Sequence, residues 1–499
     1  MAEMFALCAL PILVGLLAYY YMLKKEKSRE PPGPFALPIL GNLLDLANAS
    51  DNLLLAMGIL AEKYGEIYSL KMGFKRTVVL TSKEAMQTIL TNDAAYGRDS
   101  TGMLADRILN KNLGIAGSQG EMWEKTRNWT FKTLKDFGFG KSLDMERFIK
   151  TASQTLFADI DHKMEAKRNV IEVNLLFNPS ILSTMWQMVL GKVSPEDEPL
   201  IKILSEKGDA FVRSGILGMG VVSAFPFLRF VFPKALGYNV QMDYFNTCNK
   251  VGKTLFLEME KELRSCPLIT EPKNLLESYV QNYIDGSDPQ IFNCENFQII
   301  FQDLLLASTD TSSSFMEALL LYLVSYPEVQ EKVYQEILQV APNGRPLTFA
   351  DRKVMPYTQG FLLESHRKAR ILQNSLPRRA VRDIKYKEYI IKENTTILCD
   401  MRLYCEDKEL WGDPEKFRPD RFIGENGELV NASSIIAFSF GKRNCPGELH
   451  ANIVTFLTLA SLLQKYKLSV PDGEAMPRLD MMAGITMKPF PFKAKFVRR

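Results

Sequence analysis

Among the seven cysteines and three histidines of this 499-residue chain, one cysteine has neighbours that would change its chemistry. Cys445 lies in Phe438-Ser439-Phe440-Gly441-Lys442-Arg443-Asn444-Cys445-Pro446-Gly447, followed by Glu448, Ala451 and an apolar helical run through Leu459. The segment reads as a glycine-containing loop that delivers a thiol to the start of a helix. The positive end of that helix and the nearby Arg443 favour the thiolate, the form that ligates a metal. Gly441 allows a tight turn, Gly447 permits a flat ligand to approach the backbone, and Arg443 is placed to pair with an acidic substituent of that ligand. Cys8, Cys248, Cys266, Cys294, Cys399 and Cys405 are scattered and form no CxxC pair, which points to a reducing compartment. His162, His366 and His450 lack the spacing of a histidine metal site, so a cysteine is the leading ligand.

The elements that would position such a site can be read from periodicity. Phe297 to Tyr326 contains no proline or glycine and is apolar almost all round at both ends, which predicts a long helix through the middle of the fold. Its centre is polar: Ser308, Thr309, Asp310, Thr311, Ser312, Ser313 and Ser314 stand together where burial penalises unpaired groups. Two readings stay open, a helix whose hydroxyls bond back to carbonyls one turn earlier, or a functional notch. After Pro327, the spacing of Val329, Val333, Ile337 and Val340 predicts another helix. Ile67 to Thr81 alternates around Gly73-Phe74-Lys75 as a hairpin, and a second pair is expected from Ile384 to Leu398, turning near Lys392-Glu393-Asn394. The class is mainly α with small β-sheets (α+β).

With 61 basic and 58 acidic residues, the net charge of +3 calls for no nucleic-acid partner. Met4 to Leu23 is apolar and uncharged, long enough for a single membrane-spanning helix, and Tyr19 to Tyr21 suit the interface. Lys24, Lys25, Lys27 and Arg29 against Glu3 place the body of the chain, beyond the span, in the cytosol. The expected organisation is a transmembrane signal-anchor over 1–23, a basic, proline-rich hinge over 24–42 and a single catalytic domain over 43–499. A second apolar stretch, Phe211 to Phe232, is expected to be broken by Gly215, Gly218, Gly220 and Pro226. It reads either as core or as a surface that dips into the same bilayer and gates entry of a lipophilic substrate.

Phe438, Gly441, Arg443, Cys445 and Gly447 fill every fixed position of Phe-x-x-Gly-x-Arg-x-Cys-x-Gly, so the chain resembles the cytochrome P-450 superfamily of haem-thiolate monooxygenases. Glu364-Ser365-His366-Arg367 and Phe417-Arg418-Pro419-Asp420-Arg421-Phe422 are similar to two further motifs of that family. The block from Gly114 through Gly140 resembles its microsomal drug- and steroid-metabolising branch. The resemblance implies the P-450 fold and haem b with Cys445 as axial ligand to iron. It implies haem-propionate contacts from Trp123, Arg127, Arg378 and Arg443, and a structural triad of Glu364, Arg367 and Arg421. Ala307-Ser308-Thr309-Asp310-Thr311 would relay protons to bound dioxygen through Thr311 and Asp310. The sequence departs from the family pattern at Ser308, where glycine is usual, and at Lys368-Ala369-Arg370, which lacks the usual proline.

No nucleotide-binding fingerprint adjoins a strand, so electrons are expected from NADPH through a separate flavoprotein reductase, with cytochrome b5 as an optional second donor. Lys125, Lys132, Lys135 and Lys442 are candidates for its basic docking face. The expected reaction is hydroxylation or epoxidation of a steroid, fatty acid, terpenoid or xenobiotic at the endoplasmic reticulum membrane. A reductase-independent isomerase or dehydratase acting on a peroxide is the alternative in another reaction class, and a non-catalytic haem sensor is a third.

Overall fold

The computed structural model describes residues 29–50, 53–140, 142–265 and 271–499. The expected anchor, Met4–Leu23, lies outside them, as do Cys8, Lys141 and Cys266; among the described residues no helix is long and apolar enough to cross a membrane. In chain order come α1 (Leu43–Ala49), α2 (Leu53–Tyr64), β1 (Ile67–Met72), β2 (Lys75–Leu80), α3 (Lys83–Leu90), β3 (Gly97–Arg98), α4 (Met103–Arg107), α5 (Gly120–Asp136), α6 (Ser142–Ala166) and β4 (Val170–Glu172). The helical middle consists of α7 (Asn178–Leu190), α8 (Glu198–Ala224), α9 (Leu228–Val231), α10 (Tyr238–Ser265), α11 (Leu275–Ile284), α12 (Cys294–Ser325), α13 (Pro327–Val340) and α14 (Pro356–Ala369). The chain closes with β5 (Arg378–Arg379), β6 (Ile384–Tyr386), β7 (Tyr389–Ile391), β8 (Thr396–Cys399), α15 (Met401–Cys405), α16 (Lys408–Trp411), α17 (Glu448–Lys465), β9 (Tyr466–Ser469), β10 (Met481–Met482), β11 (Lys488–Pro489) and β12 (Lys493–Arg498).

The central helix forms as the sequence predicts. Asn293 caps α12 by accepting from the backbone N–H of Asn296 at 2.8 Å, and Pro327, unable to continue it, occupies the first turn of α13 instead. At about 1.5 Å per residue α12 runs nearly 50 Å. It packs against α7, α8, α10, α14 and α17, so the main hydrophobic core surrounds it. Beyond its first turn and its last residue, it opens at its middle: Ala307 is exposed while Leu306, Ser308 and Thr311 are half-buried. The polar notch adopts the back-bonded arrangement, Ser308 donating to the Leu304 carbonyl and Thr311 to the Ala307 carbonyl, both at 2.7 Å.

The first hairpin is present, with Ile67 opposite Leu80 and Met72 opposite Lys75. The second is corrected. β6 and β7 turn at Lys387-Glu388, where Lys387 takes φ 50°, not near Asn394. Thr396 to Cys399 instead joins the larger sheet, of order β1-β2-β8-β5-β3, parallel to β2. The strands of the small pair hold only three residues each, too few for alternation to locate a turn.

Gly215, Gly218 and Gly220 do not break α8, which runs through them to Ala224. Each glycine costs a helix only about 1 kcal/mol, less than the packing of a long helix on α10 and α12 supplies. Pro226 does end it. The two readings of this stretch therefore divide: Phe211 and Val212 are core, whereas Phe227, Phe230, Val231 and Phe232 are exposed. The β1–β2 turn, with Phe74 78% exposed, sits next to that exposed segment. A Cβ on Gly73 would stand 2.9 Å from the carbonyl oxygen of Ala224, and the Gly73 N–H donates to the Leu40 carbonyl at 3.4 Å. Leu37, Ile39, Leu40 and Leu44 are exposed as well, so three neighbouring chain segments carry exposed apolar side chains.

Candidate functional site

The cysteine loop is pinned before it reaches α17. Gly441 takes φ +73°, and a Cβ there would lie 2.3 Å from the Leu90 carbonyl oxygen, so both the turn and its close approach to α3 require glycine. Cys445 N–H donates to the Phe438 carbonyl at 2.9 Å, closing the loop on itself. Gly447, immediately before α17, has φ −94°, so the backbone does not demand glycine; a Cβ there would meet only Cys445 Sγ, at 3.8 Å. The Cys445 side chain is exposed.

Two connections set the cysteine loop against the open middle of α12. Phe315, one turn beyond Thr311, stacks on His366 with ring centroids 3.8 Å apart, and His366 meets Phe438 edge-on at 5.8 Å. On the other flank Asp303, two turns before Thr311, accepts from the N–H groups of Ile115 and Ala116 at 2.6 and 2.9 Å. The Ile115 carbonyl in turn accepts from Arg443 at 3.3 Å. Thr311 and Asp310 are not brought to the same place. Thr311 stands on the open face with Ala307 and Ser308, whereas Asp310 is buried behind it, accepting from Thr486 Oγ1 at 2.6 Å. Adjacent residues on a helix point about 100° apart, which accounts for the separation.

The electrostatics of the thiol differ from the sequence expectation. Burial pushes the Cys445 thiol up, only partly offset by the Gly447 N–H and by Arg127. Arg443 is turned elsewhere: it stacks on Trp123 at 3.7 Å and donates to the carbonyls of Tyr96, Ile115 and Ser118 at 3.0, 3.3 and 2.6 Å. Arg378 likewise donates to the Leu90 and Phe440 carbonyls at 2.8 and 2.7 Å and to Ser439 Oγ at 3.0 Å, clamping the cysteine loop to α3. Arg127, one turn from buried Trp123, lies 3.5 Å from Asn444 Oδ1.

A residue that sequence reading missed completes the set. Arg98, from β3, is buried and donates to the carbonyls of Ala116, Leu376 and Pro377. Burial and the neighbouring guanidiniums hold Arg443 down to about 8 and Arg98 down to about 9, and burial takes Arg378 to about 10. Among the described residues none of Arg98, Arg127, Arg378 and Arg443 forms an ion pair. Four cations so arranged beside an open thiol fit an anionic ligand that brings its own carboxylates and a metal for the sulfur.

Beneath the loop, Arg367 pairs with Glu364 through two aligned contacts of 2.7 and 2.8 Å, and Arg421 Nε stands 3.1 Å from the same carboxylate. Arg367 also donates to the Cys405 and Pro414 carbonyls at 2.7 and 2.9 Å. The missing proline after this motif is replaced by Arg370, which takes φ 44° and ends α14.

The family model of cytochrome P450 matches residues 31–496, nearly the whole chain, from before α1 into β12. The chain belongs to the cytochrome P450 family. Family membership implies a haem-thiolate cofactor, and the open thiol, the cationic set and the exposed middle of α12 fit one. Similar proteins include farnesoate epoxidase of Bombyx mori, 29% identical over 98% of each chain, and probable cytochrome P450 305a1 of Drosophila melanogaster, 28% identical over 100% of each. Cytochrome P450 2D9 of Mus musculus is 28% identical over 97% of this chain and 95% of its own. The cysteine-loop resemblance thus extends to the chain as a whole.

Proposed function

We propose that this P450 is a membrane-bound monooxygenase that hydroxylates or epoxidises a lipophilic small molecule with dioxygen and electrons from a separate NADPH-dependent reductase. The observation that carries the reading is the cysteine loop held against α12 through Phe315, His366 and Phe438, with Cys445 exposed and Thr311 on the open part of the helix. Haem bound beside the cysteine loop would supply oxygen activation, with Cys445 holding its iron. Arg98, Arg127, Arg378 and Arg443 would bind its carboxylates, and the backbone carbonyls that Arg98, Arg378 and Arg443 also meet fix the walls. Trp123 supports Arg443 by stacking. Thr311 would hold a proton at its hydroxyl on the open face, with Asp310 behind it as the ionisable neighbour.

The apolar face of Phe74, Phe227, Phe230, Val231, Phe232 and the segment from Leu37 to Leu44 supports docking on the bilayer that the Met4–Leu23 anchor would enter. An endoplasmic-reticulum location with a cytosolic catalytic domain accords with both. Farnesoate, the substrate named for the Bombyx mori relative, is a lipophilic acid, in keeping with an entrance from the membrane. For the reductase, Lys125 is committed to Glu121 and Asp288 and Lys442 stands 3.5 Å from Asp93, leaving exposed Lys132 and Lys135 of α5 as the better basic contacts.

The test is reconstitution of the full-length protein in bilayers with P450 reductase, NADPH and isotopically labelled dioxygen, screened against a panel of steroids, fatty acids and terpenoids. One labelled oxygen atom in a product, dependent on reductase, is expected. Turnover of a lipid peroxide without reductase, with no labelled product, would replace this reading by the isomerase or dehydratase. A second expectation concerns Arg98: removing one charge-assisted contact of about 1.5–3 kcal/mol in Arg98→Leu should weaken haem retention about tenfold or more. Transfer of haem to apomyoglobin measures this, and an unchanged transfer rate would remove Arg98 from the haem site.

A further inference from the structure

Ser308 stands where the family pattern has glycine, and its surroundings give that position a chemistry glycine lacks. Leu304, Ser308, Thr311 and Phe315 follow one another along α12 at spacings of four, three and four residues, so their side chains lie on one stripe of the helix. Phe315, at the end of the stripe, stacks on His366, which meets Phe438 of the cysteine loop. Ser308 is therefore on the side of α12 that turns toward that loop, half-buried beside exposed Ala307. Asp310 is not on this stripe: it lies behind the helix with Thr486 and with Lys488 of β11, which is buried.

The hydroxyl hydrogens on the stripe are already used. Ser308 Oγ donates to the Leu304 carbonyl and Thr311 Oγ1 to the Ala307 carbonyl, both at 2.7 Å. A hydroxyl has one hydrogen and two lone pairs, so each oxygen is left as an acceptor only. Residues three apart on a helix hold their Cβ atoms about 5–6 Å from each other, near enough for both oxygens to serve one bound group. Stiffening the helix does not call for serine, because alanine would do that better and without a hydroxyl. What serine adds at 308 is the acceptor.

We infer that Ser308 is a specificity-determining residue whose Oγ accepts a hydrogen bond from an uncharged donor group of the substrate, a hydroxyl or an N–H. The inference rests on the monooxygenase reading above and narrows its substrate from lipophilic molecules in general to those that carry such a donor. Exposed Ala307 and half-buried Leu306 give the rest of the ligand apolar contact. An ether or ketone oxygen placed here has no hydrogen to give and loses its water on entering. A protonated amine has hydrogens but also a charge. On the flank beside Asp303 the walls carry Arg98 and Arg443, bonded to the Ala116 and Ile115 carbonyls, and Asp303 is already paired with Arg107. Cations on that wall disfavour a second one.

The test is binding of a matched pair, dodecanol and its methyl ether, to the full-length holoprotein in bilayers, followed by equilibrium dialysis and by the shift of the haem Soret band. Comparing the ratio of the two affinities between wild type and Ser308→Ala cancels the different partition of the ligands into lipid. Wild type should prefer the alcohol, and the alcohol-over-ether ratio should fall about threefold to tenfold in Ser308→Ala, the effect of one hydrogen bond of ordinary net strength. Thermal melting should leave Ser308→Ala as stable as wild type, since alanine is the better helix former. A wild type that does not distinguish the pair, or a folded Ser308→Ala protein that keeps the wild-type ratio, would overturn the inference. If the ratio falls as described while the wild type never oxygenates a substrate, the reading of function fails and the acceptor at Ser308 stands. Labelled product from a wild type whose ratio Ser308→Ala does not move removes the acceptor alone.

Discussion

Cys445→Ser is expected to abolish the strongly red-shifted carbon monoxide band of the reduced protein and all reductase-dependent product, while the protein remains folded. The side chain is exposed, and its Sγ accepts the Gly447 N–H, so removing sulfur opens no core cavity. What positions residue 445 is backbone: the bond from its N–H to Phe438, the turn at Gly441 and the Arg378 clamp, all of which serine leaves intact. The loss would therefore be chemical. A serine hydroxyl is a hard, weakly acidic ligand, whereas a thiolate is soft and electron-rich and supports oxygen activation at haem iron. Thermal melting of the apoprotein beside the spectrum of the reconstituted one separates the two effects. A red-shifted band that persists in Cys445→Ser would place the sulfur ligand elsewhere; among the described residues Cys248, Cys399 and Cys405 are buried, and half-buried Cys294 at the start of α12 is the other partly open thiol.

How much of this site can be read from sequence depends on how its residues are distributed along the chain. The cysteine loop and the Glu364–Arg367 pair are legible because their parts are contiguous, so spacing alone carries the geometry. The length of α12 is legible because a helix without glycine or proline, apolar at both ends, has few other folded states. Arg98 is not, because it comes from a two-residue strand where no periodicity marks a side chain as buried. Lys488 is hidden for the same reason, in Thr486-Met487-Lys488-Pro489 at a strand of two residues. Arg443 shows a different limit. Its identity in the motif is correct, yet its donors serve three carbonyls and the face of Trp123, contacts that only the packing of β3 and α5 against the loop creates. The glycines of α8 mislead because propensity is a small term beside tertiary packing.

The largest effect on stability is expected at Glu364, which lies fully buried between two guanidiniums. Its Oε1 and Oε2 meet Arg367 at 2.7 and 2.8 Å, Oε1 also accepts the Arg418 N–H at 2.8 Å, and Arg421 approaches Oε2 to 3.1 Å. Glu364→Gln keeps the shape and removes the charge, leaving Arg367, 1% exposed, without a carboxylate. An uncompensated buried charge of that kind costs about 3–5 kcal/mol, a large share of the stability of an ordinary domain. Arg367 also bonds the Cys405, Pro414 and Lys416 carbonyls, so its displacement would loosen the segment that runs beneath the cysteine loop. Arg421→Met should cost less. It leaves the two-pronged Glu364–Arg367 pair intact, and Arg421 is the partner already shared with Asp413 at 3.2 Å. Soluble yield and urea midpoints of the two variants should therefore rank wild type above Arg421→Met above Glu364→Gln. Equal midpoints for Glu364→Gln and wild type would show that the Arg367 carbonyl contacts, rather than the carboxylate, hold this corner of the fold.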